Sequence, residues 1–138
     1  MRLVLAFLAL AHVMTACNRR DEAKPTSGDV QLRNRMTGSW FQNDGHLKGM
    51  LTLAADGSFS AGWTNVAANP TRAWTFEGNW QIANGVCAMK LTKSRSWNIT
   101  NSHLVGSVEH WRIVRADDQE LVWVSESVGQ TNTLTRRK

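Results

Sequence analysis

The stretch "AWTFEGNWQIANGVCAMKLT", residues 73–92, decides the fold of this 138-residue chain. On both sides of Asn84-Gly85, apolar and polar residues alternate with a period of two, which is typical of strands with one buried face. Asn-Gly is a strong hairpin signal, because both residues tolerate positive φ. The stretch therefore predicts two antiparallel strands joined by a tight turn. Their buried faces would carry Trp74, Phe76 and Trp80 in the first strand and Cys87, Met89 and Leu91 in the second.

Turn chemistry recurs at similar intervals along the rest of the chain. The motifs "NDG" at residues 43–45, "ADG" at 55–57 and "DD" at 117–118 combine residues that favour turns. Alternating runs such as "SFSAGW" at 58–63 lie between them. We therefore predict an all-β domain of about eight short antiparallel strands, arranged as a barrel or a sandwich.

The residues before the first strand have a different composition. Residues 18–29, "NRRDEAKPTSGD", are polar and include Pro25 and Gly28, which indicates a flexible tether. Residues 30–36 would form one or two helical turns, with Asp29 as the N-cap because its carboxylate can accept from free backbone amides. We place the start of the folded domain at residue 30, so that it covers residues 30–138.

Residues 1–16 have the layout of a secretory signal peptide. Arg2 supplies a positive charge, residues 3–11 ("LVLAFLALA") form an uncharged apolar run, and the small residues Thr15 and Ala16 follow. A membrane-spanning helix needs about 20 apolar residues, so this run is too short for a stable anchor. We expect residues 1–16 to be removed on export.

The four residues Met14-Thr15-Ala16-Cys17 resemble the lipobox of bacterial lipoproteins. The resemblance implies that Cys17 is acylated and becomes the first residue of the mature chain, so that residues 17–29 form a lipidated tether. Asn18, which follows the cysteine, implies by the same resemblance a place in the bacterial outer membrane, facing the periplasm. The alternative is an ordinary signal peptide cut near Ala16, which would leave Cys17 as a thiol.

Three motifs further along resemble the bacterial lipocalin-like (calycin-type) domains. They are Gly38-Ser39-Trp40 after a short helix, "LTLAADGSF" at residues 51–59 and "FEGNW" at residues 76–80. The resemblance covers roughly residues 30–136. It implies an up-and-down β-barrel that can hold a ligand.

The same resemblance implies a structural plug at the closed end of the barrel. Gly38 would lie where the first strand enters, the Trp40 indole would fill the end, and a basic side chain would pack over the ring. Arg136 on the last strand is the first candidate for that side chain and Arg112 the second. An arginine over a tryptophan contributes about 0.5–2 kcal/mol of cation–π energy. Gly78-Asn79-Trp80 repeats the first motif forty residues later, as two similarly packed hairpins would.

Seven tryptophans and no tyrosine are unusual in a chain of this size. For any one of them, packing in the core is the more frequent role, but small barrels can also use such rings to line a cavity. Trp63, Trp74 and Trp97 are our candidates for ligand contact, since they belong to the middle strands or the adjoining loops. We assign Trp40 and Trp80 to the core.

Charge and motif content restrict the classes of function. The net charge of +5 comes mostly from the two ends of the chain, where basic residues would either face anionic lipid or be a solvated surplus without a function, and no nucleic-acid-binding motif is present. The chain lacks H-x-H, H-E-x-x-H and C-x-x-C, so we predict no metal and no cofactor. Glu109 and His110 are neighbours on a strand and would point to opposite faces, so we do not predict an enzyme. Cys87 is expected to be a buried thiol.

Two functions remain open at this point. In the first, a membrane-anchored barrel binds a small apolar ligand at the bacterial cell envelope. In the second, the barrel core is filled and the loops at 65–72 and 92–102 contact another envelope protein, for instance as a hydrolase inhibitor or an assembly component. A cavity of about 300 Å³ or more inside the barrel would favour the first.

Overall fold

The hairpin around Asn84-Gly85 belongs to a closed barrel in the computed structural model, which describes residues 24–96 and 105–137. The elements are α1 (Ser27–Met36), β1 (Gly38–Asn43), β2 (Leu47–Leu53), β3 (Ser58–Asn65), β4 (Arg72–Ala83), β5 (Val86–Ser96), β6 (Val108–Ala116), β7 (Glu120–Ser125) and β8 (Thr131–Arg136). Each strand pairs antiparallel with the next, and β8 pairs with β1. The predicted all-β, up-and-down barrel of eight strands is confirmed.

Alternation in the β4–β5 hairpin places apolar side chains inside the barrel. Asn84 and Gly85 both have positive φ, 53° and 74°, as the tight turn requires. Ile82 lies opposite Cys87 and Trp80 opposite Met89, and all four are buried. A register shift between Glu77 and Gly78 then bends the pair before it continues to the far end of the barrel.

Trp40 fills one end of the barrel, and Arg136 covers it. The Trp40 indole is fully buried, and its N–H donates to the Met36 carbonyl at 2.7 Å. The Arg136 guanidinium carbon lies 4.3 Å from the ring centroid, and Nη1 donates to the Thr37 carbonyl at 3.0 Å. Gly38 has a φ of +132°, and a Cβ there would lie 2.6 Å from Arg136 Nη1. Glycine is therefore required where the chain enters β1.

Trp80 is held at the same end in the same way. Its indole N–H donates to the Ala54 carbonyl at 3.0 Å, and the Arg33 guanidinium carbon lies 4.9 Å from the ring centroid. Arg33 also donates to the Ala55 carbonyl at 3.1 Å. The two Gly-x-Trp motifs thus place chemically equivalent tryptophans, each bonded to a carbonyl and each covered by an arginine. Arg112, the second candidate for the side chain that packs over Trp40, is instead exposed on the outer face of β6.

Helix α1 begins three residues earlier than predicted, and Asp29 is not its N-cap. Thr26 is the N-cap, and Asp29 is the third helical residue of a capping box. The buried Asp29 carboxylate accepts from the Thr26 N–H at 2.8 Å, and also from Gly85 N–H at 3.0 Å and Asn84 N–H at 3.2 Å. The earlier start has a tertiary cause, since Asp29 joins the helix to the β4–β5 turn. Residues 27–29, which we predicted as part of the tether, therefore belong to α1.

Replacing Arg136 by Met should lower the free energy of unfolding by about 2–3 kcal/mol, because the cation–π contact and the bonds to helix-end carbonyls are lost. Arg112→Met is the matched control on the outer face, and we expect a change within about 0.5 kcal/mol. Urea unfolding followed by tryptophan fluorescence measures both. Equal effects of the two variants would show that the guanidinium does not hold this end closed.

Hydrogen bonds from Thr26 and then Gly85 lower the pKa of Asp29 from 3.8 to about 2. Since the pKa is lower in the folded chain, the stabilisation is complete above the unfolded value and disappears as pH falls towards 2. Asp29→Asn should therefore lower the free energy of unfolding at pH 7 by about 2 kcal/mol. The difference from the parent protein should shrink between pH 4 and pH 2 in urea titrations. A difference that stays constant over that interval, or one also seen for the exposed Asp118→Asn, would contradict this role.

Candidate functional site

The two ends of the barrel differ in their connections and in their packing. The closed end carries α1 and the turns at residues 54–57, 84–85 and 117–119, whereas the open end carries residues 44–46, 66–71, 105–107 and 126–130. Fully buried side chains such as Leu53 and Leu121 occupy the closed half. Towards the open end, inward-facing rings such as Phe76 and Trp111 are only half-buried. Space inside the barrel is therefore confined to the open half.

The first of two cavities in this half has a volume of about 240 Å³ and almost entirely apolar walls. Its walls come from every strand between β2 and β7, so it lies within the barrel. The lining residues are Leu51, Phe59, Ala61, Trp63, Phe76, Met89, Leu91, Ser107, Glu109, Trp111 and Trp123.

The second cavity has a volume of about 190 Å³ and lies beside the first. The two share the walls Trp63, Phe76, Trp111 and Trp123. The rings of Trp111 and Trp123 stack with centroids 5.0 Å apart and planes inclined by 28°. The remaining walls are Gln42, Leu47, Trp74, Gln130, Asn132 and Leu134. The open half of the barrel is thus an aromatic chamber with polar groups at its rim.

Gly49, which has no side chain, leaves the space that the Trp63 ring occupies in this chamber. Gly49 of β2 lies opposite Trp63 of β3, and a Cβ at Gly49 would lie 1.9 Å from Cε3 of that ring. The indole therefore lies directly against the β2 backbone. Across the next strand pair, Trp63 is opposite Trp74. The two rings therefore lie side by side on the inner wall near the open end.

Glu109 is the charged side chain of the chamber. It lies opposite the buried Met89, two residues before Trp111, so it faces inward, and it lines the first cavity. Its neighbour His110 lies opposite Ala88 on the other face of the sheet. Among residues 24–96 and 105–137, Glu109 is the one charged residue on the walls of either cavity.

A second polar group near the chamber is unsatisfied. Ser94 lies opposite Phe76, and its buried Oγ has no hydrogen-bond partner among the described residues. A buried hydroxyl without a partner is destabilising by about 1–3 kcal/mol unless another molecule supplies the bond. Ser94 does not line either cavity, so this hydroxyl is a buried group behind the rings.

Sequence reasoning identified part of this chamber. The structure brings Trp63 and Trp74 together on its wall, whereas Trp97 lies outside the described residues. Gly38, Trp40 and Arg136 meet at the opposite, closed end. The lining residues without a predicted ligand role include Phe76, Glu109, Trp111 and Trp123. The spacing of Glu109, Trp111 and Ile113 was the available signal, since it marks one face of β6.

Two other depressions are less suited to an apolar ligand. A groove of about 390 Å³ lies on the outer face of β2–β5 and has short polar walls, among them Thr52, Ser60, Asn79 and Thr92. A hollow of about 200 Å³ lies between α1 and β4 and includes Asp29, whose carboxylate is already bonded. The groove offers a ligand little apolar surface, and the hollow contains two charged side chains, Asp29 and Arg33, that already bond other parts of the chain. The interior chamber has mostly apolar walls, so we take it as the candidate site.

Groups that carry catalysis or bind metals are dispersed in the described part of the chain. No three His, Cys, Asp or Glu side chains of residues 24–96 and 105–137 are grouped to hold a metal ion. His46 is exposed in the β1–β2 turn, far along the chain from the outward-facing His110. Burial raises the pKa of the Cys87 thiol to about 12, which keeps it protonated and unreactive.

Neither a scan against models of protein families nor a search of curated proteins finds a match to this chain. In the described ranges, no helix combines the length and the apolar character needed to cross a membrane.

Proposed function

We propose that this protein is a binding module that takes up a small, largely apolar molecule in the open half of its barrel. The observation that carries the proposal is the contrast between the two halves. The closed half is filled around Trp40 and Trp80, and the open half keeps two adjoining cavities between tryptophan rings.

The size of the chamber sets the size of the ligand. Pockets that bind small molecules usually begin at about 300 Å³. Each cavity here is smaller, at 240 and 190 Å³, but they share four ring walls. A molecule of one or two rings, or a short branched chain, suits this space better than a long lipid tail. Burying roughly 120 Å² of apolar ligand surface would contribute about 3 kcal/mol.

The proposed location is the bacterial cell envelope, in the outer membrane and facing the periplasm, with acylated Cys17 as the anchor. This part rests on the lipobox-like residues 14–17 and on the apolar run before them. Nine residue steps separate Cys17 from the Thr26 N-cap, a span of at most about 32 Å. Since α1 lies on the closed end, an anchor attached there would leave the open end of the chamber unobstructed.

A second candidate function is contact with another envelope protein through the loops of the open end. Three valines in different connections of this end are exposed, namely Val66 (41%), Val105 (48%) and Val128 (72%). These three side chains would supply the apolar contacts of such a surface. In this function the partner would be a hydrolase or an assembly component. The filled core that it presupposes is present in the closed half of the barrel.

Ligand binding can be tested with the neutral two-ring probe 6-propionyl-2-dimethylaminonaphthalene, whose emission shifts to shorter wavelength in apolar surroundings. We expect saturable binding to the mature domain. Ala61→Leu should weaken it at least about tenfold, because Ala61 lines the first cavity and the added carbons occupy it. Ala73→Leu is the same change on the outer face of β4 and should have no effect. Absence of saturable binding, or equal binding by both variants, would reject the proposal.

The anchor can be tested by intact-mass measurement of the protein purified from bacterial membranes. We expect a chain that begins at Cys17 and carries the added mass of acyl groups. Cys17→Ser should abolish both the added mass and the recovery from membranes. A mature chain with an unmodified Cys17 would remove the anchor from the proposal and leave the binding test unaffected.

A further inference from the structure

We infer that the ligand of this chamber is a small organic cation, an ammonium compound with an apolar or aromatic body. The inference rests on the proposed function, since it concerns the same cavities, but it names the chemical class that they prefer. It depends on the position of Glu109, on the rings around it and on the absence of competing cations from the described walls.

The position of Glu109 is fixed by the register of β6. Its partner Met89 is buried inside the barrel, and Trp111, two residues further along, lines both cavities. Glu109 is half-buried, and it lines the first cavity together with Trp63 and Phe76. A charge placed among rings loses part of its hydration, which is unfavourable unless an opposite charge approaches it. The ligand itself can supply that charge.

The carboxylate is not neutralised by the part of the chain that the structure describes. The ion pairs among residues 24–96 and 105–137 are Lys93–Glu77, Arg115–Asp117 and Arg115–Glu120. Each involves a different acidic residue, and none includes Glu109. The described walls of both cavities also hold no lysine or arginine. Glu109 is therefore available to a cation that enters from solvent.

The rings add to the preference for positive charge. The face of an indole is negative, and a cation within about 6 Å of its centroid gains about 0.5–2 kcal/mol, more on tryptophan than on other rings. Trp63, Trp111 and Trp123 surround the first cavity beside Glu109. A cluster of rings with one carboxylate is the arrangement that recognises quaternary ammonium groups.

The sign of the chamber is opposite to that of the whole chain. The net charge is +5, so general electrostatics would attract anions to the protein. Glu109 disfavours an anion at the site, because a second carboxylate among the same rings would be repelled and poorly hydrated. Cation preference is therefore a local property of the chamber, and it can be separated from surface charge by experiment.

The test compares three ligands of one shape in titrations followed by intrinsic tryptophan fluorescence, with calorimetry as a check. They are benzyltrimethylammonium, its neutral carbon isostere neopentylbenzene and the anion benzylsulfonate. We expect the cation to bind at least about tenfold more tightly than the isostere and the anion to bind most weakly. A cation that binds no better than the isostere would overturn this inference and leave the proposed function standing. Absence of binding by all three would overturn both.

Glu109→Gln separates charge from shape, since the side chain keeps its size and its carbonyl. It should lower the affinity for benzyltrimethylammonium at least about tenfold and change that for neopentylbenzene less than about twofold. Glu126→Gln is the matched control, because Glu126 is exposed in the β7–β8 turn at the same end of the barrel. An equal loss in both variants would assign the preference to the general field of the open end and reject the role of Glu109. The comparison of three ligands on the parent protein does not depend on either variant.

Discussion

The contact between Arg136 and Trp40 is the interaction on which the barrel depends. Only two residue pairs join β1 to β8 by register, Trp40 with Arg136 and Phe41 with Thr135, so the last seam of the barrel is short. Arg136 extends it, because its guanidinium covers the Trp40 ring and donates to the carbonyls of Thr37 and Arg35 at the end of α1. One side chain thus holds the last strand, the first strand and the helix together.

This closure divides the tryptophans into two chemical groups. Trp40 and Trp80 at the closed end donate their indole N–H groups to backbone carbonyls and lie under arginines. In the described part of the chain, the indole N–H groups of Trp63, Trp111 and the other chamber tryptophans make no such hydrogen bond. Rings that are pinned in this way are core, whereas rings held mainly by packing can adjust to a ligand. The same residue type therefore packs the core at one end and lines the cavities at the other.

The architecture was predictable because its signals are local. The period of two and the Asn-Gly turn in residues 73–92 predict the hairpin and the buried faces of Trp80 and Cys87, which the structure confirms. The start of α1 was not predictable in the same way, because Asp29 bonds the turn at Asn84-Gly85, some fifty-five residues away in the chain. A tertiary contact of this kind leaves no periodic pattern in the sequence from which it could be predicted.

The chamber was harder to predict than the barrel for a related reason. The alternation of apolar and polar residues shows which face of a strand points inward, but it does not show whether the inward side chains fill the interior or leave a cavity. Trp63 and Trp74 could be chosen from their place on the middle strands. Glu109 interrupts an otherwise apolar face of β6, and a polar residue there makes the two faces of the strand look mixed. The feature that obscured the strand in the sequence is the one that distinguishes the chamber in the structure.

Two small residues shape the chamber, because Ala61 leaves space in the first cavity and Gly49 leaves room for the Trp63 ring. Ala61 lies opposite Leu51 and Phe76 on the cavity wall, and Gly49 faces Trp63. In a barrel optimised for stability alone, leucine or valine at position 61 would fill part of the first cavity and bury more apolar surface, since interiors pack to the density of organic crystals. In the closed half, by contrast, side chains such as Leu53 and Leu121 are fully buried. The space in the open half is therefore a property of particular residues, Ala61 above all.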